Sequence, residues 1–437
     1  MKKRLLSVAA AVLFGMLANA QQIKFEEYDL PNGLHVILHQ DNSAPVVTTS
    51  VMYHVGAKDE IEGRTGFAHF FEHLLFEGTQ NIKRGDWFKI VSANGGSNNA
   101  NTTGDRTYYY EVFPSNNEQL GLWMEAERMR NPIINQIGVD TQREVVKEEK
   151  RLRMDNQPYG NFMTALLKTV FKKHPYKGTV IGSMEDLNAA TLDEFKNFFK
   201  KYYVPNNAVL VVAGDIKPEQ TKNWINQYYG SIPRGAAITR NFAKETPITT
   251  AYEETYYDKN IQIPAYIFAY RTPGYKDRDA YALDMLSTYL SDGKSSVLYK
   301  KLVDKEKKAL EIGAFNLGME DYSIFACLAL PMGETSKATL QNDIDAEIRK
   351  VQTELISEED YQKLLNQMEN NFVNSNTSVE SIAHSLADRY MLKGNTDIIN
   401  KEIEIYRSIT REELREVAKK YLNSNQRAII NYLPEKK

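Results

Sequence analysis

A single cysteine in 437 residues, Cys327, denies this chain any internal disulfide. Its stability therefore has to come from packed cores. Cys327 sits in the apolar run from Ile324 to Leu330, which predicts a buried strand. Positive charge is not in excess: 54 Lys and Arg stand against 57 Asp and Glu, and no basic stripe runs through the chain. That removes the electrostatic footprint of a nucleic-acid binder. Long apolar runs are also missing. The stretch Leu5 to Leu17 is too short to cross a bilayer comfortably, and nothing later is longer, so no membrane span is expected. Leu5–Leu17 follows Lys2-Lys3-Arg4 and precedes Ala18-Asn19-Ala20, the pattern of a cleavable export signal. Cleavage after Ala20 would start the mature chain at Gln21. No cysteine stands at a lipidation position. A periplasmic protein is expected, with secretion beyond the periplasm as the alternative. The remaining composition, 42% hydrophobic and 25% charged, is that of a folded chain long enough for two or three domains.

Histidine is scarce as well, with seven in the chain. Two of them fall in His69-Phe70-Phe71-Glu72-His73, which reads H-x-x-E-H. On a helix, His69 and His73 share a face one turn apart, and Glu72 borders it. Two imidazoles so placed can hold one zinc ion, with Glu72 as the base that takes a proton from its water, the inverzincin arrangement. A lone histidine among phenylalanines would read as a satisfied core residue. Burying two histidines and a glutamate there costs several kcal/mol unless something pairs them, and a metal is the simplest partner.

The segment from Gly66 to Thr79 reads G-x-A-H-x-x-E-H-x-x-F-x-G-T, and R-x-V-V-x-E-E follows from Arg143 to Glu149. In both, the chain resembles the pitrilysin/insulinase family of zinc metallopeptidases, in the short-chain branch related to mitochondrial processing peptidase. The resemblance implies a third metal ligand well downstream of the second histidine. The family's spacing, counted from His73, selects Glu149 over its neighbour Glu148. It implies one zinc per chain, held by His69, His73 and Glu149. The family usually has another glutamate two helical turns before that ligand. Here Gln142 stands there, able to hydrogen-bond but not to carry charge.

The chain also repeats itself. Thr191–Tyr203 (TLDEFKNFFKKYY) and Thr410–Leu422 (TREELREVAKKYL) are related by an offset of 219 in numbering. Each opens on a T-x-x-E capping box. Each is followed by an apolar strand, Ala208 to Ala213 and Ala428 to Tyr432. Pro45 and Pro264 share the offset and precede strand-like runs at Val46–Tyr53 and Ala265–Tyr270. A repeat this long is a domain duplication. The fold class expected is α+β, two homologous α/β-sandwich domains of the metallopeptidase clamshell type. The boundaries read as a signal at 1–20, a zinc-binding catalytic domain at 21–232, a polar linker at 233–247 and a non-zinc domain at 248–437. Shifted by the same offset, the motif lands on Thr288, Ser291, Asp292 and Met368. The second half therefore reads as a wall without metal.

Gly95–Thr102 precedes a β-rich run, Thr107 to Phe113. As pattern alone it fits a Gly/Asn-rich hairpin turn and a binding edge equally. The family carries G-x-x-N-A-x-T here as an edge strand beside the zinc, which implies substrate contacts at Asn99 and Ala100. Peptide-cleaving relatives also use an Arg and a Tyr in a segment like L-R-x-x-x-G-L-A-Y. At Leu302–Leu310 this chain has Val303 and Leu310 in those places. Some family members divide the work between two chains. The expectation is thus a zinc-dependent metalloendopeptidase acting on peptides or unfolded segments in an enclosed chamber. This chain would be its zinc-bearing subunit in a heterodimer whose partner supplies the Arg–Tyr pair, with a homodimer as the alternative. From another class, a non-catalytic scaffold subunit of the same fold competes. The intact His69, Glu72, His73 and Glu149 set argues against it.

Overall fold

The computed structural model describes residues 22–435. The export signal expected over residues 1–20 lies outside them. Six strands form a first sheet: β1 (Glu26–Asp29), β2 (His35–Gln40), β3 (Val46–Tyr53), β4 (Ser97–Thr102), β5 (Thr107–Pro114) and β6 (Ala208–Gly214). Their order is β1-β2-β6-β3-β5-β4. Five form a second: β7 (Tyr252–Asp258), β8 (Ala265–Pro273), β9 (Ala309–Leu317), β10 (Tyr322–Pro331) and β11 (Ala428–Pro434), in the order β7-β11-β8-β10-β9.

Apart from β1, the two sheets are the same sheet. β2 pairs parallel with β6 as β7 does with β11, and every other pairing is antiparallel in both. β3 and β8 begin at Val46 and Ala265, which is the offset of the sequence repeat, and β6 and β11 begin at Ala208 and Ala428, one position more. The edge strands β4 and β9 begin at Ser97 and Ala309, several positions short of that offset, so the segments between differ in length. The duplicated two-sheet α+β fold is the one the repeat implied. Cys327 is fully buried in β10, where burial pushes its thiol up to about 12.

The capping boxes are not equivalent. Thr191 N donates to Glu194 Oε2 at 2.9 Å and Thr191 Oγ1 accepts from Glu194 N at 3.4 Å. Thr410 Oγ1 accepts from Glu413 N at 3.1 Å, but the Glu413 carboxylate turns to Arg278, 2.6 Å away. Arg278 engages both Glu413 oxygens, at 2.6 and 3.1 Å, whereas Arg64 takes only one oxygen of Glu194 and leaves the other for the Thr191 amide.

Both faces of each sheet are covered, which is why β6, AVLVVAG, is buried along its whole length. On the first sheet, Val51, Tyr53, Leu210 and Val212 face helices of their own half. Ile37, Met52, Val209 and Val211 instead meet Ile382, Ala383 and Leu386 of the helix Val379–Asp388, from the second half. The second sheet mirrors this. Its residues Ile267, Ala269 and Ile430 meet Ala165, Leu166 and Val170 of the helix Phe162–Val170, from the first half. These two helices, starting at Phe162 and Val379, are themselves related by nearly the same offset as the strands. Each half thus covers one face of the other's sheet.

A buried charge cluster clasps the same boundary. Lys58, 1% exposed, places Nζ 2.9 Å from Asp105, 2.7 Å from Glu320 and 3.0 Å from Asp321. His54 Nε2 adds a contact of 2.7 Å to Glu320. Burial pushes the Glu320 carboxyl up, but the His54 and Lys58 contacts outweigh it and bring it to about 2. Asp321 is lowered too, its burial outweighed by His174 and Lys58. A carboxylate depressed below its unfolded value of about 4.5 stabilises the fold above that pH and loses its contribution as pH falls toward 2. Melting temperature should therefore drop steeply between about pH 4.5 and 2. The drop should be shallower in Glu320→Gln, and equal slopes in both proteins would refute the assignment.

Candidate metal centre

The helix Phe67–Leu74 puts Phe67, Phe70, Phe71 and Leu74 on one buried face, the i, i+3, i+4, i+7 pattern. Phe67 and Phe70 pack against Phe195 at 4.5 and 4.4 Å between ring centroids. That fixes the opposite face, which carries His69, Glu72 and His73. Its N-terminus has no side-chain cap of its own. Glu60 serves instead, its carboxylate accepting from Gly66 N at 2.7 Å and Ala68 N at 2.9 Å. Gly66 has φ +91°, and a Cβ there would come within 2.6 Å of the Ile181 carbonyl oxygen. Only glycine satisfies both conditions. At the far end, Tyr109 OH donates to the Phe71 carbonyl at 2.9 Å. The buried Arg128 donates to the Leu75 carbonyl at 3.3 Å.

A second helix, Gln136–Lys150, is capped by Asn135, which accepts from Gly138 N at 2.9 Å. Val139, Gln142, Val146 and Glu149 recur at helical spacing along one stripe, with both valines fully buried. A π-helical turn, Arg151–Asp155, follows directly after this helix.

The two helices bring three donor atoms together. His69 Nε2 and His73 Nε2 are 3.4 Å apart. Glu149 Oε2 lies 3.4 Å from the first and 3.1 Å from the second. Metal bonds of about 2.0–2.2 Å to N and O at tetrahedral angles imply donor separations of about 3.3–3.5 Å. Burial, and then His73, pull the His69 imidazole down to about 4, so it is neutral near pH 7, the form that ligates. Glu149 is held below the ordinary carboxylate range, first by His73. Three lone pairs thus converge, and Glu149 Oε2 is buried with no hydrogen-bond donor among the described residues. Arg153 pairs with the other Glu149 oxygen at 2.8 Å, which leaves Oε2 and the two imidazole nitrogens converging on one point, a donor set that fits a zinc ion.

Glu72 lies beside this group. Its Oε2 accepts from Thr102 Oγ1 at 2.6 Å, and its other oxygen has no hydrogen bond among the described residues. Burial raises its pKa above the usual carboxylate range, with the Thr102 bond as the main counterweight. Thr102 ends β4, which is the edge of the first sheet. It is also the threonine of the G-x-x-N-A-x-T pattern, so a signal for it was present in the sequence, although the pattern drew attention only to Asn99 and Ala100. Those two pair with Tyr110 and Tyr109 of β5. Asn99 is exposed and its Oδ1 accepts from the Ala100 amide at 2.9 Å, while the Ala100 side chain is buried, so what Ala100 can offer is main chain, with its amide already engaged by Asn99. Gln142 does not join the three donors. Its amide donates to Glu77 Oε1 at 2.5 Å, beyond the end of the motif helix. Val303 is packed partly buried on the second core, and Leu310 is 45% exposed at the start of β9.

Comparison with known proteins gives the family. Residues 35–183 match Insulinase (Peptidase family M16), and residues 189–368 match the Peptidase M16 inactive domain. The zinc protease PqqE of Helicobacter pylori is 30% identical over 439 residues, covering 99% of both chains. A probable mitochondrial-processing peptidase subunit beta of Arabidopsis thaliana is 23% identical over 92% of this chain and 76% of its own. The crystal structure of a protease from Helicobacter pylori superposes with a TM-score of 0.89 at 30% identity, over 94% of this chain and 100% of that one. With both halves matched and nearly the whole length aligned, the chain belongs to the insulinase family, peptidase family M16.

Proposed function

We propose that this chain is the zinc-bearing subunit of a metalloendopeptidase that cleaves peptides or unfolded segments. The observation that supports it most is the convergence of His69, His73 and Glu149 to 3.1–3.4 Å beside Glu72. These three residues would hold one zinc, which when bound acidifies a water and polarises the scissile carbonyl. Glu72, pinned by Thr102 through one oxygen, uses the other to take the proton of the attacking water and deliver it to the leaving amine. The free edge of β4 at Asn99 and Ala100 aligns an extended peptide through main-chain hydrogen bonds. Gln142 supports the site indirectly, by fixing Glu77. Negative charge developing on the carbonyl oxygen needs further donors. Val303 and Leu310 offer none, so a second family subunit supplies an Arg–Tyr pair and closes the chamber.

In this reading the catalytic domain spans 21–232, the linker 233–247 and the non-zinc domain 248–437. An export signal at 1–20 sends the chain to the periplasm. Among the described residues, no helix is long and apolar enough to cross a membrane.

The test is zinc content together with hydrolysis of a quenched peptide library, for the chain purified alone and for the complex recovered from its native cell. We expect one zinc per chain in both and cleavage only by the complex. Full activity of the chain alone would overturn the division of the site between subunits. Absence of zinc binding would overturn the peptidase reading and favour the scaffold.

A further inference from the structure

Arg106 is 7% exposed and forms no ion pair among the described residues. Burial lowers its pKa, and the carboxylate of Asp388, on the same helix as His384, is the first of the groups that oppose this, with Glu72 among the others. Its partners here are neutral: it donates through one amino group to the Asn101 carbonyl at 3.1 Å and to the Asn101 side chain, and through the other to His384 Nε2 at 3.2 Å. Asn101 is in β4, immediately before Thr102, which holds Glu72. His384 is on the helix Val379–Asp388 that the second half lays across the first sheet. Its ring stands edge-on to Tyr108 at 4.9 Å, and burial, then Arg106, bring its pKa down to about 4. The imidazole is therefore neutral near pH 7 and free to accept.

The turn between β4 and β5 is gripped on its other side as well. Glu320 N donates to Asp105 Oδ2 at 3.0 Å, and Lys58 N donates to the Gly104 carbonyl at 2.9 Å. The strand that carries Thr102 is thus anchored at its end by Glu320 of the second half and by Lys58 of its own half, which itself pairs with Glu320.

We propose that Arg106 and His384 are positioning residues through which the second half sets Glu72. The line of contact runs His384, Arg106, Asn101, Thr102, Glu72. The second half is then part of the catalytic apparatus rather than only a wall. This deepens the peptidase reading and rests on it for the catalytic consequence. The anchoring of β4 does not depend on that reading.

The test compares His384→Leu, which removes the acceptor, with His384→Gln, which keeps one. In the native complex, His384→Leu should lower kcat/KM by about 10- to 100-fold, the scale of a small misplacement of a reacting group. His384→Gln should restore most of it, with zinc content unchanged in both. In a Thr102→Val background, His384→Leu should add little, because both changes break one line of contact. Hydrogen exchange over Ser97–Thr102 should quicken in His384→Leu and not in His384→Gln. Equal rates and equal exchange in the two His384 variants would overturn the proposal, as would full additivity with Thr102→Val. If the wild-type complex cleaves no peptide, the peptidase reading fails, and the exchange measurement alone decides the anchoring. Should His384→Leu fold poorly, Arg106→Lys, which keeps the charge but loses the two-armed grip, is expected to show the same quickened exchange.

Discussion

Replacing Glu72 with glutamine is expected to cut peptide hydrolysis by about 10²- to 10⁴-fold while leaving one zinc per chain. Glutamine preserves the shape, and its carbonyl can still accept from Thr102. What it lacks is a basic oxygen to receive a proton. His69→Ala should do the opposite to the metal. Deleting one of three donors should release the zinc, with activity falling alongside. The pair of variants therefore separates proton transfer from metal retention. Elemental analysis and initial rates on the same samples make the comparison. If Glu72→Gln retained more than a tenth of the rate, another group would have to be the base.

The second large effect concerns Arg128, which is fully buried with Glu111 and Glu125. It pairs with Glu111 at 3.0 Å and Glu125 at 2.9 Å. Its guanidinium also lies over Trp87, Phe76 and Tyr109, at 4.1 to 4.4 Å from their ring centres. Burial, and next Glu125, push the Glu111 carboxyl well above its ordinary range. Arg128→Met removes the cation and leaves two carboxyl groups without their partner in an apolar interior. The expected loss is about 3–5 kcal/mol of unfolding free energy, the scale for breaking one side of a buried pair. Urea titration would register it. Adding Glu125→Gln should return part of the loss, because one of the two unpaired carboxyl groups is then gone. A change below about 1 kcal/mol in Arg128→Met would mean the carboxylates reach water or protonate freely. Because Arg128 also holds the Leu75 carbonyl, we expect weaker zinc retention in the same variant.

Much of this was legible in the chain. H-x-x-E-H put His69, Glu72 and His73 on one side because helical spacing alone sets which side chains share a side. The paired T-x-x-E segments gave the duplication because capping residues and apolar strands recur in register. Glu149 followed from the family resemblance rather than from the residues themselves, since a lone carboxylate so far down the chain from His73 carries no local signal. Other features were closed to a linear reading. The amphipathic patterns of Phe162–Val170 and Val379–Asp388 show that each helix buries a face, but not that it buries it on the other half's sheet. Glu413 carries the signature of a box, yet Arg278, 135 residues away, claims its carboxylate. Arg106 and His384 meet across 278 residues, with no periodicity to announce them.

The exchanged helices decide whether either half can stand alone. Two sheets that each borrow a helix from the other have the form of a swapped dimer, in which identical protomers trade one element. Joined end to end through the irregular stretch between Tyr229 and Tyr252, such a dimer becomes one chain with the trade preserved. Neither half can then be cut out as a stable unit, because each would leave an apolar sheet face bare to water. Severing the chain within that stretch should instead yield two fragments that find each other again, each covering the sheet face the other leaves bare.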